Sequence, residues 1–192
     1  MISHHSQSGF SLVETLVAIT VMLLVIVGPM SISSSAARST SYSSEQVVAF
    51  FLAQEGAELA QKARDDLQLQ NFAGANSTPW NDFTSSGLYN ECFSTRGCGL
   101  QLEDGDSDGD LQSPLDCGSD PCRLYINDAG GRVRYTYTPT GATTTPYSRI
   151  LYMTETAGRE VEVISRVTWQ TGNQRQLQTV EVKTYLFNVY DN

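Results

Sequence analysis

The stretch GFSLVETLVAITVMLLVIVGPMSI, residues 9–32, decides the fold of this 192-residue chain. From Phe10 to Ile32 it runs for 23 residues, and its only charged side chain is Glu14. A helix needs about 20 predominantly apolar residues to cross a bilayer. The stretch therefore predicts a membrane-spanning helix over residues 10–32, preceded by a short polar leader, residues 1–9.

Glu14 indicates that this helix has a function in addition to membrane anchoring. A carboxylate at mid-bilayer depth costs about 2.5–3.5 kcal/mol, and such residues are usually functional. Together, the Gly9–Phe10 junction and Glu14 resemble the N-terminus of type IV pilins and pseudopilins. The resemblance implies that a peptidase cleaves after Gly9, that the new N-terminal Phe10 is methylated, and that Glu14 directs assembly into a filament.

A secretory signal peptide is the alternative interpretation of this segment. Its apolar core is usually about 7–15 residues long, which is shorter than this one, although Ser-Ala-Ala at 35–37 resembles a signal peptidase site. That interpretation leaves Glu14 and the Gly9–Phe10 junction unexplained. The leader departs from the usual pilin pattern because it has no Lys or Arg, only His4 and His5. We interpret these histidines as part of a removed leader and not as metal ligands.

Gly28 and Pro29 interrupt the apolar helix near its end. Proline removes one backbone hydrogen bond and clashes with the preceding turn. A tolerated kink would explain the pair. In the resembled family, a Pro or Gly at this depth marks where the helix bends and, in many filaments, partly unwinds.

The helix is predicted to continue over residues 33–69 as the amphipathic part that packs on a globular domain. Apolar or small residues recur at helical spacing, namely Val48, Leu52, Gly56, Leu59, Ala63 and Leu67. The words LAQEGAEL at 52–59 and Arg64-Asp65 are similar to a PilV-like branch of bacterial pilins. The phrase VISRVTW at 163–169 resembles the closing strands of that branch.

Residues 70–192 are predicted to form an extracytoplasmic domain, with a loop over Asn71–Leu88 and then strands. Arg132–Thr138 alternates in polarity as a half-buried strand should, with Val133, Tyr135 and Tyr137 on one side. Pro139–Pro146 is predicted as a Thr-rich loop, and Gly172-Asn173 as the last hairpin turn. The fold class is α+β, with one long N-terminal helix on an antiparallel meander, as in a pilin.

Composition narrows the functional classes. The net charge of −9 and pI of about 4.6 argue against a basic nucleic-acid-binding surface. Both histidines lie in the leader, so the mature chain has no His-based general acid or triad. There is also no phosphate-binding Gly loop. The sequence predicts that the protein is not an enzyme.

Four cysteines, Cys92, Cys98, Cys117 and Cys122, fall within one stretch. An even count behind an export segment predicts two disulfides in an oxidising compartment. Two local loops, or a nested pair joining the outer and the inner cysteines, both satisfy the spacing. Zinc fits poorly because the spacings are wider than CxxC.

The stretch from Asp104 to Asp110 resembles the start of a Ca²⁺ loop. Asp104, Asp106, Asp108 and Asp110 alternate with other residues, and Gly109 supplies a bend. The twelfth position is Leu115 instead of an acid, so closure would fall to Asp116 or Glu103. A solvated acidic loop is the alternative, but four close carboxylates repel one another without a cation.

These observations predict a minor pilin or pseudopilin that is N-methylated at Phe10 and polymerises through its helix. The resemblance implies as partners other pilin subunits, a prepilin peptidase and an inner-membrane assembly platform. It also implies a single-pass location in the cytoplasmic membrane before assembly, and an extracellular or periplasmic filament, such as a pilus (fimbrium) or a type II secretion pseudopilus, afterwards. The alternative is a membrane-anchored, Ca²⁺-dependent adhesion domain that never polymerises.

Overall fold

The computed structural model describes residues 9, 11–74, 78–85, 87–103, 109–118, 122–128, 133–156, 158–170 and 176–189. Two α-helices and a 3₁₀ turn precede or flank seven strands: α1 (Leu12–Phe72), α2 (Pro79–Thr84), the turn Asn90–Phe93, β1 (Cys98–Gly99), β2 (Leu115–Asp116), β3 (Arg123–Asn127), β4 (Arg134–Thr136), β5 (Thr143–Glu155), β6 (Glu160–Trp169) and β7 (Gln178–Phe187). A long helix on an antiparallel sheet confirms the α+β prediction.

The chain divides into two compact units, Met1–Ser44 and Glu45–Asn192. In the first unit the large apolar side chains of α1 between Leu12 and Ile32 are 53–80% exposed. By length and composition this helix is able to span a membrane. Its hydroxyl side chains donate to carbonyls one turn earlier, as Thr20 does to Leu16 and Val17. Back-bonding of this kind lets polar side chains sit on a membrane helix without an unsatisfied group.

In the second unit, the part of α1 from Glu45 to Phe72 packs against the sheet. Four members of the predicted apolar stripe are buried, namely Leu52, Gly56, Leu59 and Ala63, and they are joined by Ala49, Ala53, Ala57 and Ala60. Val48 and Leu67 are half-buried. The abundance of small side chains on this face brings the helix backbone close to the strands. Closest is Gly56, where an added Cβ would lie 2.3 Å from Ser165 Oγ.

Strand β5 is the centre of the sheet, and all pairings are antiparallel. One edge of β5 pairs with β6, which pairs with β7. Its other edge pairs with β3 and, at Leu151, with β1. Strand β4 pairs with β3, and β2 with β1. The predicted simple meander therefore holds for β5–β7 but is wrong for β3–β5, because β5 returns beside β3 and leaves β4 outside.

Three local predictions are corrected. β5 begins at Thr143, so the end of the predicted loop 139–146 is strand; Pro146 falls where the β3–β5 register shifts and before the β5–β6 pairing begins. The predicted alternation fails at two positions: Val133 is 73% exposed, whereas Thr136 is buried and its hydroxyl donates to Gln101 Oε1. The predicted loop 71–88 contains α2.

Helix α2 anchors that connection through two buried aromatic residues, Trp80 and Phe83. Phe83 is 1% exposed and contacts the rings of Tyr89 and Phe93. The Trp80 indole N–H donates to the carbonyl of Gly158 at 3.1 Å. The predicted turn at Gly172-Asn173 lies outside the described residues.

Candidate functional site

The N-terminal block places its carboxylate at the start of the long helix. α1 begins at Leu12, so Glu14 lies in the first turn, where the helix dipole favours a negative charge. Its side chain is exposed and makes no hydrogen bond or ion pair to any residue that the structure describes. Gly9 is exposed, and Phe10 lies outside the described residues. The carboxylate is thus presented by the helix and not used by the described part of the chain's own fold.

The helix continues without interruption through Gly28 and Pro29. Pro29 cannot donate to the carbonyl of Val25, which weakens the helix at that turn. Gly28 faces open space, with no atom within 4 Å of where a Cβ would be. The bend at this pair stays a prediction.

The most tightly held polar side chain in the second unit is Arg149, which the sequence interpretation missed. It lies in β5 and is 0% exposed. The signal was present, because the inward positions of β5 follow period 2 and Arg149 is in phase with Tyr147, Leu151 and Met153. A charged residue in that phase predicts a buried charge with partners.

Arg149 ties three parts of the second unit together. Its Nη1 donates to Leu52 O at 3.2 Å and to Glu55 Oε2 at 2.8 Å, both on α1. Nη2 donates to Leu100 O at 3.0 Å, and Nε donates to the Tyr137 hydroxyl at 3.0 Å. The Tyr137 hydroxyl donates in turn to the carbonyl of Arg149 at 3.0 Å. Four guanidinium hydrogen bonds therefore link the helix, the segment after β1 and the segment after β4.

The electrostatics of this cluster favour a structural role. Burial raises the pKa of Tyr137, so its hydroxyl stays protonated and remains a donor. The guanidinium also lies 5.5 Å from the centre of the Tyr137 ring, within cation–π range. Its one carboxylate partner, Glu55, is 45% exposed. Because nearly every donor is occupied by the chain's own acceptors, Arg149 acts as an internal tie.

The structure joins the cysteines in two local pairs, Cys92–Cys98 and Cys117–Cys122. The nested pairing is therefore not the one adopted. Both bridges flank the short β1–β2 pair, where Cys98 lies opposite Asp116. They fasten the segment that carries the acidic loop to the sheet.

The predicted metal ligands Asp104, Asp106 and Asp108 lie outside the described residues, whereas Asp110 and Asp116 are described. Residues 101–103 and 109–112 form the neck of a hairpin, with Leu102 bridged to Leu111 and Glu103 N donating to Asp110 O at 2.8 Å. The Asp116 carboxylate accepts from Gly118 N at 2.9 Å and lies 3.5 Å from Arg96. Within the described part of the chain, no three His, Cys, Asp or Glu side chains gather around a common point.

Comparison with known families places one match on the chain. The family model for the prokaryotic N-terminal methylation motif matches residues 4–28, which include Gly9, Phe10 and Glu14. No curated protein and no solved structure matches the chain. The motif supports a type IV pilin-like family and indicates a pilin-like or pseudopilin precursor. The apolar helix fits a membrane-anchored precursor. The family associated with this motif is structural and not enzymatic.

Proposed function

We propose that this chain is a structural subunit of a type IV pilus-like filament, a minor pilin or pseudopilin. It is cleaved after Gly9, methylated on Phe10 and polymerised through α1. The observation that carries the proposal is the methylation motif over residues 4–28, on a helix whose apolar side chains the first unit leaves exposed. The similarity of residues 52–59 and 163–169 to a PilV-like branch favours the minor-pilin form.

The mechanism of assembly follows from the cost of a buried charge. Once the leader is removed, Phe10 carries a positive amine. The Glu14 carboxylate has no partner in the described part of its own chain, so a neighbour's amine supplies one. An unpaired charge in an apolar helix bundle costs several kcal/mol. Pairing is therefore strongly favoured only in the register that joins the two groups, and this sets the axial step between subunits.

The proposed subunit passes through the membrane, processing and assembly in that order. The subunit begins as a single-pass protein of the cytoplasmic membrane, with residues 70–192 outside. A prepilin peptidase and a membrane assembly platform then act on it, and it ends in a filament with other pilin subunits. The two disulfides suit the oxidising compartment into which the second unit is exported.

Substitution of Glu14 tests the proposal against its alternative, a membrane-anchored domain that does not polymerise. Glu14→Gln keeps the shape of the side chain and removes its charge, and the account predicts that this variant is cleaved and inserted but absent from sheared filaments. Glu58→Gln is the matched control, because Glu58 is an exposed carboxylate on the same helix. Glu14→Gln subunits recovered in filaments at the level of the control would leave the anchored domain as the better account.

We also propose that the acidic segment 104–108 binds Ca²⁺. The neck supports this, because the backbone bond from Glu103 N to Asp110 O brings two acidic residues together at the ends of that segment. Asp116 is a poor ligand, because Arg96 and Gly118 N already engage its carboxylate. Titration of the dialysed protein with millimolar Ca²⁺ should raise its melting temperature, and Asp110→Asn should reduce that rise. An unchanged melting temperature would remove Ca²⁺ from the account.

A further inference from the structure

A small cleft lies beside the hairpin neck, residues 101–103 and 109–112. Its cavity volume is about 260 Å³. The walls come from three parts of the second unit: the hairpin neck, the segment 113–115, and residues 137–139 after β4. No residue of the N-terminal block lines the cleft, so binding of a single ligand there does not require filament assembly.

The polar end of the cleft is held in place by Gln101, which is 7% exposed. The Gln101 Oε1 accepts from the Thr136 hydroxyl at 3.0 Å and from the backbone N–H of Tyr137. Its Nε2 donates to Gln112 Oε1 and, at 3.4 Å, to the hydroxyl of Thr138. These bonds fix the Gln112 amide group as an acceptor toward Gln101, which leaves its NH₂ as the donor that a ligand is able to use.

The floor of the cleft is also rigid. Gly99 is packed so closely that a Cβ there would lie 2.9 Å from the Tyr137 ring and 3.3 Å from Cys122 Sγ. The Tyr137 ring rests on Arg149 beneath it. The surface of the cleft is therefore already ordered before a ligand binds. Binding loses little entropy from ordering these side chains.

The described lining of the cleft combines apolar rings with uncharged polar groups. The rings of Pro114, Pro139 and Tyr137 supply apolar surface, while Gln112, Ser113 and Thr138 supply amide and hydroxyl groups. None of the described residues that line the cleft is charged, so phosphates, carboxylates and cations gain no ion pair from them. A sugar ring has the complementary form, with an apolar C–H face and hydroxyls at its edge. Pockets for drug-sized ligands hold about 300–1,000 Å³, so this cleft suits one ring.

We propose that this cleft binds one neutral sugar residue, such as a terminal hexose or N-acetylhexosamine of a surface glycan. The ring lies against Pro114 and Pro139, and its hydroxyls bond to Gln112 and Ser113. Because a single sugar offers only about 12–15 non-hydrogen atoms for contact, its Kd is on the order of millimolar. Tighter binding to a glycan would come from many subunits in one filament.

Saturation-transfer NMR on the full chain in detergent micelles tests this proposal. The probes are methyl glycosides of glucose, galactose and N-acetylglucosamine, each at millimolar concentration. At least one should give saturation transfer that a filled cleft abolishes. Ser113→Trp fills the cleft from an exposed position, and Thr179→Trp is its control at an exposed hydroxyl residue of β7, away from the lining. Gln112→Ala should weaken binding about tenfold, the loss expected for one hydrogen bond made only to the ligand, whereas Gln70→Ala on α1 should not.

Two results would overturn the proposal. One is no saturation transfer to any glycoside, in a sample whose amide spectrum shows the second unit folded. The other is transfer that persists in Ser113→Trp, which would place any sugar elsewhere. Acetyl-proline amide serves as a competing probe, because a proline ring also fits an apolar slot; binding of that probe alone would assign the cleft to a peptide.

Discussion

The two parts of helix α1 differ in whether the chain buries their apolar side chains. From Leu12 to Ile32 the large apolar side chains are exposed by more than half, and the first unit offers nothing to cover them. From Ala49 to Ala63 the inward face is almost entirely buried against the chain's own sheet. One helix thus carries a surface for other molecules and a surface for its own fold.

The polar residues on the two parts differ in the same way. Glu14 makes no hydrogen bond or ion pair to any described residue. Arg149 makes four hydrogen bonds, two of which hold the second part of the helix to the sheet. A charge with no internal partner is available to other molecules, whereas a charge with nearly every donor occupied is not. The comparison separates residues that support the subunit from residues that the proposed assembly would use.

Loss of Arg149 should have the largest effect on stability. Arg149→Ala removes the guanidinium that donates to the Tyr137 hydroxyl and to the carbonyls of Leu52 and Leu100. It also opens a cavity, so we expect a loss of about 3–5 kcal/mol. Denaturant unfolding followed by tryptophan fluorescence measures it, since both tryptophans lie in the second unit. Arg166→Ala is the control, because Arg166 forms a partly exposed pair with Glu181 and should cost less than about 1 kcal/mol. Equal losses in the two variants would show that Arg149 is not the tie described here.

Removal of one disulfide should have the next largest effect. The Cys92–Cys98 bridge closes a sequence separation of 6, for which loop-closure entropy gives a stabilisation of about 2 kcal/mol. The double variant Cys92→Ala, Cys98→Ala should shift the denaturation midpoint accordingly. The bridge belongs to the second unit, so the helix content of the first part of α1 should not change. A peptide of residues 10–44 in micelles gives the circular dichroism signal expected for that part alone. A midpoint that does not move would mean that the bridge does not constrain the unfolded chain.

The same substitution at two glycines of α1 should have opposite signs. Gly56→Ala places a methyl group 2.3 Å from Ser165 Oγ and 3.0 Å from Arg149 Cδ, so we expect overpacking to cost about 1–3 kcal/mol. Gly28→Ala meets open space and should add up to about 1 kcal/mol of helix propensity. Thermal unfolding of the second unit and the helical signal of the first part measure the two effects.

A second substitution sharpens the test at Gly56. The Ser165 hydroxyl is buried with no hydrogen-bond partner among the described residues, so Ser165→Ala should be nearly neutral by itself. Combined with Gly56→Ala it should recover part of the loss, since it removes the nearest clashing atom. Strict additivity of the two changes would contradict the close helix–sheet approach.

The sequence predicted the two parts of α1 unequally well. The apolar part needs only length and composition to be recognised, and its interpretation depended on Gly9, Phe10 and Glu14. The stripe of the second part was correct at Leu52, Gly56, Leu59 and Ala63 because helical spacing is a local property. The structural role of Arg149 was not predicted, because the groups that it bonds to belong to Leu52, Leu100 and Tyr137, which are distant in sequence. Strand order failed for a similar reason, since the pairing of β5 with β3 is set by packing and not by the turn between β4 and β5.

The intact mass and N-terminal sequence of the protein from its native membrane or sheared-filament fraction test the central claim most directly. The account predicts a mature chain that begins at Phe10 and carries one N-methyl group. A chain that still begins at Met1 would instead support a plain membrane anchor, and one that begins near Arg38 would indicate an ordinary secreted domain. Either of those results would contradict assembly through Glu14.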